Sequence, residues 1–520
     1  MPISSETIVN LLPEVTLVLL AVTILIGGTF SRSKLSWTVL TLFLFGVVAV
    51  MLSQQTSPVA DPQVTTAGPL RFDGFAQYFR WTALGLGGLF TLLATQSRQL
   101  KLFPELLGAL VLIITGLMIV SSAADLVMMF LGFELISIPT YVLLFIGKAD
   151  RQSDEAAAKY FFLSILSSAL MLYGFASLYG VTGEIEFQAI QASLQADPAP
   201  LLRSFLPISL VAIIAGLAFK VAAVPFHFYA PDVYQATTNL NAALLAIVPK
   251  IAGVVGLVRI LIAVYPRDSL FPWQLVIVLA VLTMTFGNVA ALWQNNLRRL
   301  LAYSSIAHAG YLLIGLAAAL GGQVASTTTQ HAIAAMVFYV VVYSAAMMGA
   351  FSTLAYLSDD DCNFSQLGEL AGLGRTHPVI GACLAVCMFS LSGIPPLAGF
   401  WGKLTLFKSA LDVALSNDGA MKYWFITLSV LGAFNAAIAA AYYLRVIGVI
   451  YFNVADSDPK KPPLGNPGAG LVALLSVWIV IGIGLFTSGA MLRAETAAQA
   501  VSGAESGNFE LPVATQSRQP

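Results

Sequence analysis

From residue 8 to residue 491 the chain is a succession of apolar runs. Each is close to the ~20 residues that a helix needs to cross a bilayer, and polar loops separate them. They lie at 8–28, 35–52, 75–95, 104–120, 124–146, 156–181, 205–224, 240–264, 272–293, 301–320, 331–357, 378–408, 423–452 and 471–491. That pattern predicts an all-α polytopic membrane protein of about fourteen transmembrane helices. The charge content agrees: 25 Lys and Arg with 26 Asp and Glu make up only 10 % of the residues, against about 25 % in a soluble chain. So little charge cannot cover a water-soluble body of 520 residues. The lipid bilayer is therefore the solvent for most of the chain.

Several function classes drop out. A net charge of −1 leaves no basic footprint for nucleic acid. Cys362, Cys383 and Cys387 form no CxxC pair, and His227, His308, His331 and His377 are not spaced as metal or haem ligands. The glycines sit inside apolar runs such as the one around Gly85, away from any strand-to-helix fingerprint. The chain is expected to bind no redox cofactor of its own. The first run carries Glu6 and Glu14 and no basic leader, which reads as a retained helix.

Orientation follows from the loop cations. Odd-numbered loops hold Arg32, Lys34, Arg98, Lys101, Lys148, Arg151, Lys159, Arg298, Arg299, Arg375, Lys460 and Lys461. Even-numbered loops hold Arg71, Arg203, Arg267 and Lys422. Odd loops are thus expected in the cytoplasm and both termini outside it. Asp359, Asp360 and Asp361 run against this trend, but acidic residues weigh little in it. The polar tail after Arg493 reads as disordered.

Two runs look interrupted. As one helix, 378–408 would reach about 46 Å, longer than a ~30 Å hydrocarbon core. It also contains Gly393, Pro395, Pro396 and Gly399. The seventh run meets Pro225 shortly after Lys220. Interrupted helices at corresponding places in two halves suggest inverted repeats with an ion site between them. The expected organisation is N-terminal helices over 1–103, a first inverted five-helix repeat over 104–264 and a second over 265–452. A C-terminal helix over 453–493 and the polar tail over 494–520 complete it.

Five ionisable residues fall inside runs: Glu134, Lys220, Lys250, His308 and Lys403. Each costs roughly 2.5–3.5 kcal/mol at bilayer depth if unpaired. Each has a plainer reading. Lys220 and Lys403 could snorkel to the headgroups. Lys250 and Glu134 could form static ion pairs, and His308 could be a satisfied structural group. His227 and His331 fit interfacial positions near span ends, His377 a loop, and Arg259 and Arg445 fit snorkelling. Together, five deep acid and base groups on separate helices are what a proton path needs, and lysine suits a relay because desolvation readily moves its proton affinity.

Four segments carry a family resemblance: "GLAFKVAAVPFHFYAPDVY", "AIVPKIAG", "RRLLAYSSIAHAGYLLIG" and "SLSGIPPLAGFWGK". Together they resemble the subunit N family of proton-pumping NADH:quinone oxidoreductase (respiratory complex I), from about the fourth to the thirteenth span. "PDVY" points to the N type. The resemblance implies fourteen helices with two inverted five-helix repeats, and a proton-translocating membrane-arm subunit in a bacterial inner membrane. It implies that Glu134 pairs with Lys220, that Lys250 and His308 lie on a central polar axis, and that Lys403 faces the exit path. It also implies membrane-arm and peripheral-arm partner subunits that hold FMN, iron–sulfur clusters and the quinone site. Residues Gln235 to Asn241, "QATTNLN", depart from the family pattern, which usually has a Gly and a Thr-Pro stretch there. A cation/proton antiporter subunit of the Mrp type is the alternative, using the same lysines without redox partners.

The topology is open to direct test. A reporter active only in the cytoplasm, fused after Pro520, is expected to be silent. Strong activity there would mean an odd number of crossings or the opposite orientation.

Overall fold

The computed structural model describes residues 5–55, 68–95, 102–147, 150–196, 204–262, 271–322, 326–358, 365–454 and 465–502. Arg98, Lys101, Lys148, Arg203, Arg267, Lys460, Lys461, the triple aspartate and Cys362 lie outside the described residues. Within them, backbone pairing outside helices is confined to isolated bridges such as Leu70–Ala123 and Asn296–Gln366. That is the expected outcome where no water can satisfy an open sheet edge.

In chain order the helices are α1 (Ser5–Gly27), α2 (Lys34–Gln54), α3 (Gly74–Ala94), α4 (Phe103–Ser122), α5 (Leu126–Gly147) and α6 (Arg151–Thr182). The short α7 (Phe187–Gln195), α8 (Leu206–Val221), α9 (Tyr229–Ala236) and α10 (Asn239–Leu257) follow, and α10 closes in a π-helical turn over Val258–Ile262. Then come α11 (Phe271–Leu292), α12 (Leu297–Gly321), α13 (Thr327–Leu357), α14 (Pro378–Ser392), α15 (Ala398–Ser416), α16 (Ala420–Phe452), α17 (Pro467–Leu485) and α18 (Thr487–Ser502). Among the described residues, eleven helices are long and apolar enough to cross a membrane, and α8 and α14 are shorter apolar helices. The core is α10, buried along its whole span, with α12 and α13 nearly so, while α1, α2, α16 and α17 bury only one face.

Both expected interruptions are present, and they share one geometry. Helix α8 ends at Ala222, a non-glycine residue at φ 58°, and α14 ends at Gly393 at φ 87°. In the first, Ala222 and Ala223 donate their amides to the Phe219 and Ala218 carbonyls. In the second, Gly393 and Ile394 donate to Ser390 and Phe389. This left-handed cap satisfies the last carbonyls that a helix otherwise leaves open. Each partner in the second set lies 171 positions after its counterpart, as Pro396 does after Pro225. The same spacing recurs where α4 meets α5 and α11 meets α12. A Cβ on Gly116 would sit 3.0 Å from the Gly132 carbonyl and the Ile136 amide. One on Gly287 would sit 2.9 Å from the Tyr303 carbonyl and 2.6 Å from the Ala307 amide. Only glycine lets these backbones approach so closely.

Three expectations need correction. The run 471–491 is two helices, parted at Phe486. The tail expected to be disordered from residue 494 instead stays helical through Ser502. Ala494, Ala497 and Ala498 are small enough to bury against α3 and α13, and an alanine-rich polar sequence favours helix once one face is covered. Arg259 does not snorkel. It is buried, and its two terminal nitrogens donate to the two oxygens of Asp73 at 2.6 and 2.7 Å, and one of them to the Ser121 carbonyl at 2.8 Å. Asp73 also caps α3 through the Ala76 amide, and Arg71 reaches both Asp73 and the Ala500 carbonyl. One carboxylate thus ties together the ends of α3, α4, α10 and α18. A second buried pair, Glu14 with Arg80 at 2.7 and 2.8 Å, fastens α1 to α3.

Burial pushes the Asp73 carboxyl up, but the Arg259 guanidinium more than offsets this and holds it below the ordinary carboxylate range. Its contribution to stability is therefore present above that range and is lost only as pH falls below it. At neutral pH, Arg259→Ala should cost about 3–5 kcal/mol by stranding the carboxylate. The double replacement Asp73→Leu with Arg259→Met should recover most of that loss. Thermal unfolding of the detergent-solubilised chain reads both, and a single variant as stable as the unmodified chain would show that the pair is dispensable.

Candidate functional site

The structure turns all five sequence-selected ionisable side chains inward. Lys220 is 4 % exposed, Lys250 1 %, His308 1 % and Lys403 4 %, and Glu134 is half-buried. Exposures this small exclude snorkelling for the three lysines, since a snorkelling ammonium must reach the headgroup layer.

Lys220 occupies the last turn of α8, just before the break, where the helix dipole favours a cation. Its ammonium donates to the Ser137 hydroxyl at 2.8 Å and the Ser164 hydroxyl at 3.3 Å. Glu134 accepts from the Ser168 hydroxyl at 2.6 Å. The resemblance implied direct pairing of Glu134 with Lys220; instead, hydroxyls stand between them. Ser137 lies one turn from Glu134 on α5, and Ser164 one turn from Ser168 on α6. Tyr141 donates to Ser164 at 2.8 Å and closes the cluster.

Lys250 follows Pro249 on α10. Proline removes the rung to the Leu245 carbonyl, and the next carbonyl, that of Ala246, accepts from Tyr343 at 3.1 Å. The Lys250 ammonium bonds the Ser305 carbonyl, the Ser305 hydroxyl at 2.6 Å and the Tyr343 hydroxyl at 3.3 Å. Among the described residues no carboxylate lies within ion-pair reach of it, so the static ion pair considered for Lys250 is not what holds it. His308, one turn after Ser304 on α12, bonds Tyr339 through Nδ1 at 2.5 Å and Tyr443 through Nε2 at 2.9 Å. Tyr443 in turn bonds the Ser304 hydroxyl.

Lys403 lies on α15, beyond the second break, and points back across it. Its ammonium donates to the Leu391 carbonyl at 2.8 Å and the Ser392 carbonyl at 3.0 Å, the open C-terminal carbonyls of α14. It also stands over the Tyr311 ring, 5.0 Å from its centroid. The break thus builds its own cation site from groups that a continuous helix would keep for itself.

Sequence reading missed the hydroxyls. Tyr339, Tyr343, Tyr443, Ser304 and Ser305 join the basic groups, yet in the sequence they look like ordinary aromatic and small helix residues. The available signal was the spacing of Ser304, Ser305 and His308 on one helix face. His227 is buried, with its ring 4.5 Å from that of Phe286. His331 is exposed. Arg445 is partly exposed and donates to the Leu292 and Gln294 carbonyls at the end of α11. The atypical Gln235–Asn241 stretch is held within the chain. Thr238 caps α10, Asn241 donates to the Leu143 carbonyl at 2.7 Å, and Arg298 donates to the Thr237 carbonyl at 2.6 Å. Asp232, in the "PDVY" segment on α9, pairs with Lys159 and Arg299.

The family described as "NADH:quinone oxidoreductase/Mrp antiporter, TM" matches residues 123–434. A NADH-quinone oxidoreductase subunit N from Methylobacterium nodulans is 34 % identical, over 94 % of this chain and 97 % of the relative. One from Pelagibacter ubique is 38 % identical over 71 % and 74 %. A chain of respiratory complex I from Thermus thermophilus, solved with bound aureothin, superposes with a TM-score of 0.75 at 28 % identity, covering 92 % of this chain and 98 % of that one. A chain of the Mrp complex from Dietzia sp. superposes at 0.77 with 20 % identity over 94 % and 97 %, a likeness of fold.

The second break yields a packing test. A Cβ on Gly399 would fall on the Ser390 carbonyl, whereas one on Gly85 meets nothing within 4 Å. Gly399→Ala should destabilise the chain by at least about 3 kcal/mol. Gly85→Ala should be neutral or stabilising by up to ~1 kcal/mol. Thermal midpoints in detergent compare the two, and equal midpoints would mean that the contact between α14 and α15 is looser than described.

Proposed function

The chain belongs to the NADH-quinone oxidoreductase subunit N family, within the wider NADH:quinone oxidoreductase/Mrp antiporter family, and we propose on that premise that it translocates protons as a membrane-arm subunit of that oxidoreductase. Electron transfer from NADH to quinone takes place in partner subunits, which carry the FMN, the iron–sulfur clusters and the quinone site. This subunit contributes the membrane half of the coupling. Glu134, Lys220, Lys250, His308 and Lys403 carry the proton.

The observation that carries the reading is the kind of partner these groups have. Lys250, His308 and Lys403 are buried against hydroxyls and carbonyls, which accept a charge without neutralising it permanently. Lys220 and Glu134 share a serine cluster that lets each respond to the other's protonation. Under this reading the Glu134 carboxylate attracts a proton onto Lys220 when the two approach, and loses that hold when they part.

The architecture proposed with it has fourteen crossings. Helices α8 with α9, and α14 with α15, each make one interrupted crossing. Residues 104–264 and 265–452 form two five-helix repeats, and the constant spacing of 171 positions between matching turns and glycine contacts supports this division. Five is odd, so the second repeat starts from the opposite face and is inverted. Both termini then lie outside the cytoplasm, in the inner membrane of a bacterium like those of the relatives. The Mrp-type antiporter reading rests on likeness of fold, and the subunit N relatives favour the oxidoreductase.

The test asks whether Lys250 must release its proton. Arginine keeps the charge but cannot deprotonate usefully. In assembled complex, Lys250→Arg is expected to depress coupled NADH:quinone turnover and proton uptake nearly as much as Lys250→Ala. Assembly should be checked in parallel. Near-normal pumping by the Lys250→Arg complex would leave Lys250 a structural cation and remove it from the path.

A further inference from the structure

The proposed path assigns the proton to the ionisable groups and leaves open what connects them. Around His308 the connection can be read atom by atom. Nδ1 meets the Tyr339 hydroxyl at 2.5 Å, Nε2 meets the Tyr443 hydroxyl at 2.9 Å, and Tyr443 meets the Ser304 hydroxyl. All four residues are buried, with Tyr339 and Tyr443 at 1 % and 0 % exposure and Ser304 at 0 %.

A histidine held for structure has its tautomer fixed: one nitrogen donates to a carbonyl or carboxylate, which can only accept. Neither partner of His308 is of that kind. A phenol and an alcohol each donate one hydrogen and can accept another, so the chain Ser304–Tyr443–His308–Tyr339 can be drawn with every bond pointing either way. Lys250 and Lys403 differ, since each has a backbone carbonyl among its acceptors, and a carbonyl cannot pass a proton on.

Each end of the chain lies one residue removed from a lysine site. Ser304 precedes Ser305, which holds Lys250. The Tyr339 ring packs on Gly402, the neighbour of Lys403, so closely that a Cβ at 402 would collide with it. Glycine at 402 is thus what allows α15 to pack against Tyr339 in the residue before its lysine.

We propose that Tyr339 and Tyr443 are proton-relay residues, passing the proton through their hydroxyls onto and off the two ring nitrogens of His308. The proposal rests on the proton-translocating reading above. In one passage, Ser304 receives a proton on oxygen and gives its own to the Tyr443 oxygen. Tyr443 gives its hydroxyl proton to Nε2, the ring gives up its Nδ1 proton to the Tyr339 oxygen, and Tyr339 releases its hydroxyl proton. One proton enters and one leaves. No heavy-atom bond changes, and the chain ends neutral with every hydrogen bond reversed. Rotation of the three hydroxyls and return of the ring tautomer reset it. The proton enters at the Ser304 end, on the Lys250 side, and leaves at the Tyr339 end, on the Lys403 side.

Phenylalanine at either position keeps the ring and its packing and deletes only the hydroxyl. In assembled complex, Tyr339→Phe and Tyr443→Phe are each expected to lower coupled turnover and proton uptake by about tenfold or more, the scale of a lost acid–base group. The double variant should be no worse than the poorer single, because a chain is broken only once. Rates for both single variants within about twofold of the unmodified complex, far below what a lost acid–base group costs, would overturn the relay. His308→Gln in the same series separates the two levels. If it also pumps normally, the reading of His308 as a proton carrier fails. If it alone is impaired, only the tyrosine relay fails. Should a Phe variant not assemble, 3,5-difluorotyrosine at position 443 decides: it keeps the hydroxyl and its shape but makes the phenol a stronger acid. A relay then moves the pH profile of turnover, and an unmoved profile overturns the proposal.

Discussion

An ammonium group in a bilayer needs acceptors that water no longer supplies, and for Lys403 this chain provides them by breaking one of its own helices. Lys403 takes the two carbonyls left open where α14 stops, and Lys220 sits in the last turn before α8 stops. A break exposes backbone polar groups, so it is tolerable only inside protein. That requirement fits the packing of α10, α12 and α13, the most buried helices, against the two interruptions, although Pro225, Pro395 and Pro396 themselves are exposed. It also explains the cost in side-chain volume. Gly399 must lie on the Ser390 carbonyl and Gly402 on Tyr339 for α15 to return close enough to present its lysine.

The buried charges fall into two chemical kinds that the fold keeps apart. Arg80 and Arg259 have two-pronged carboxylate partners, Glu14 and Asp73, in geometry that satisfies the fork of a guanidinium. Arginine does not release its proton, so these pairs can only hold, and they fasten the N-terminal helices and α18 to the core. The lysines have hydroxyl and carbonyl partners that leave the charge uncancelled. A fixed cation is better served by a carboxylate, and a cation that must come and go is better served by neutral acceptors.

The sequence made legible whatever depends on local chemistry. Apolar length located the spans, Pro225 and the Pro395–Pro396 pair marked the breaks, and charge inside apolar runs picked out residues that all turn inward. What depends on a partner far away in sequence stayed hidden. Arg259 looked like a snorkelling residue because Asp73, 186 positions distant, is the reason it is buried. Tyr443 looked like any aromatic because His308, 135 positions away, supplies its role. The serines between Glu134 and Lys220 escaped notice because serine inside a helix usually bonds its own backbone. The helical tail was missed because its packing against α3 and α13 leaves no trace in an alanine-rich sequence.

Taken with the proposed repeat, the matching positions reveal a further asymmetry. The 171-residue spacing that superimposes the breaks places Ser305 where the first half has Glu134, His308 where it has Ser137, and Lys403 where it has Asp232. The backbone device is thus repeated while the charges are not. The first half opposes one acid to one base across a serine cluster. Across the boundary of the halves, among the described residues, Lys250 of the first and His308 and Lys403 of the second have no carboxylate within ion-pair reach. Like charges in a low-dielectric interior raise each other's cost steeply, so the three sites cannot be filled as independent cations. A proton placed on one must weaken the hold of the next. Under the proposed function, that repulsion keeps a proton moving once it has entered, and the acid–base pair of the first half is the group suited to decide when it enters.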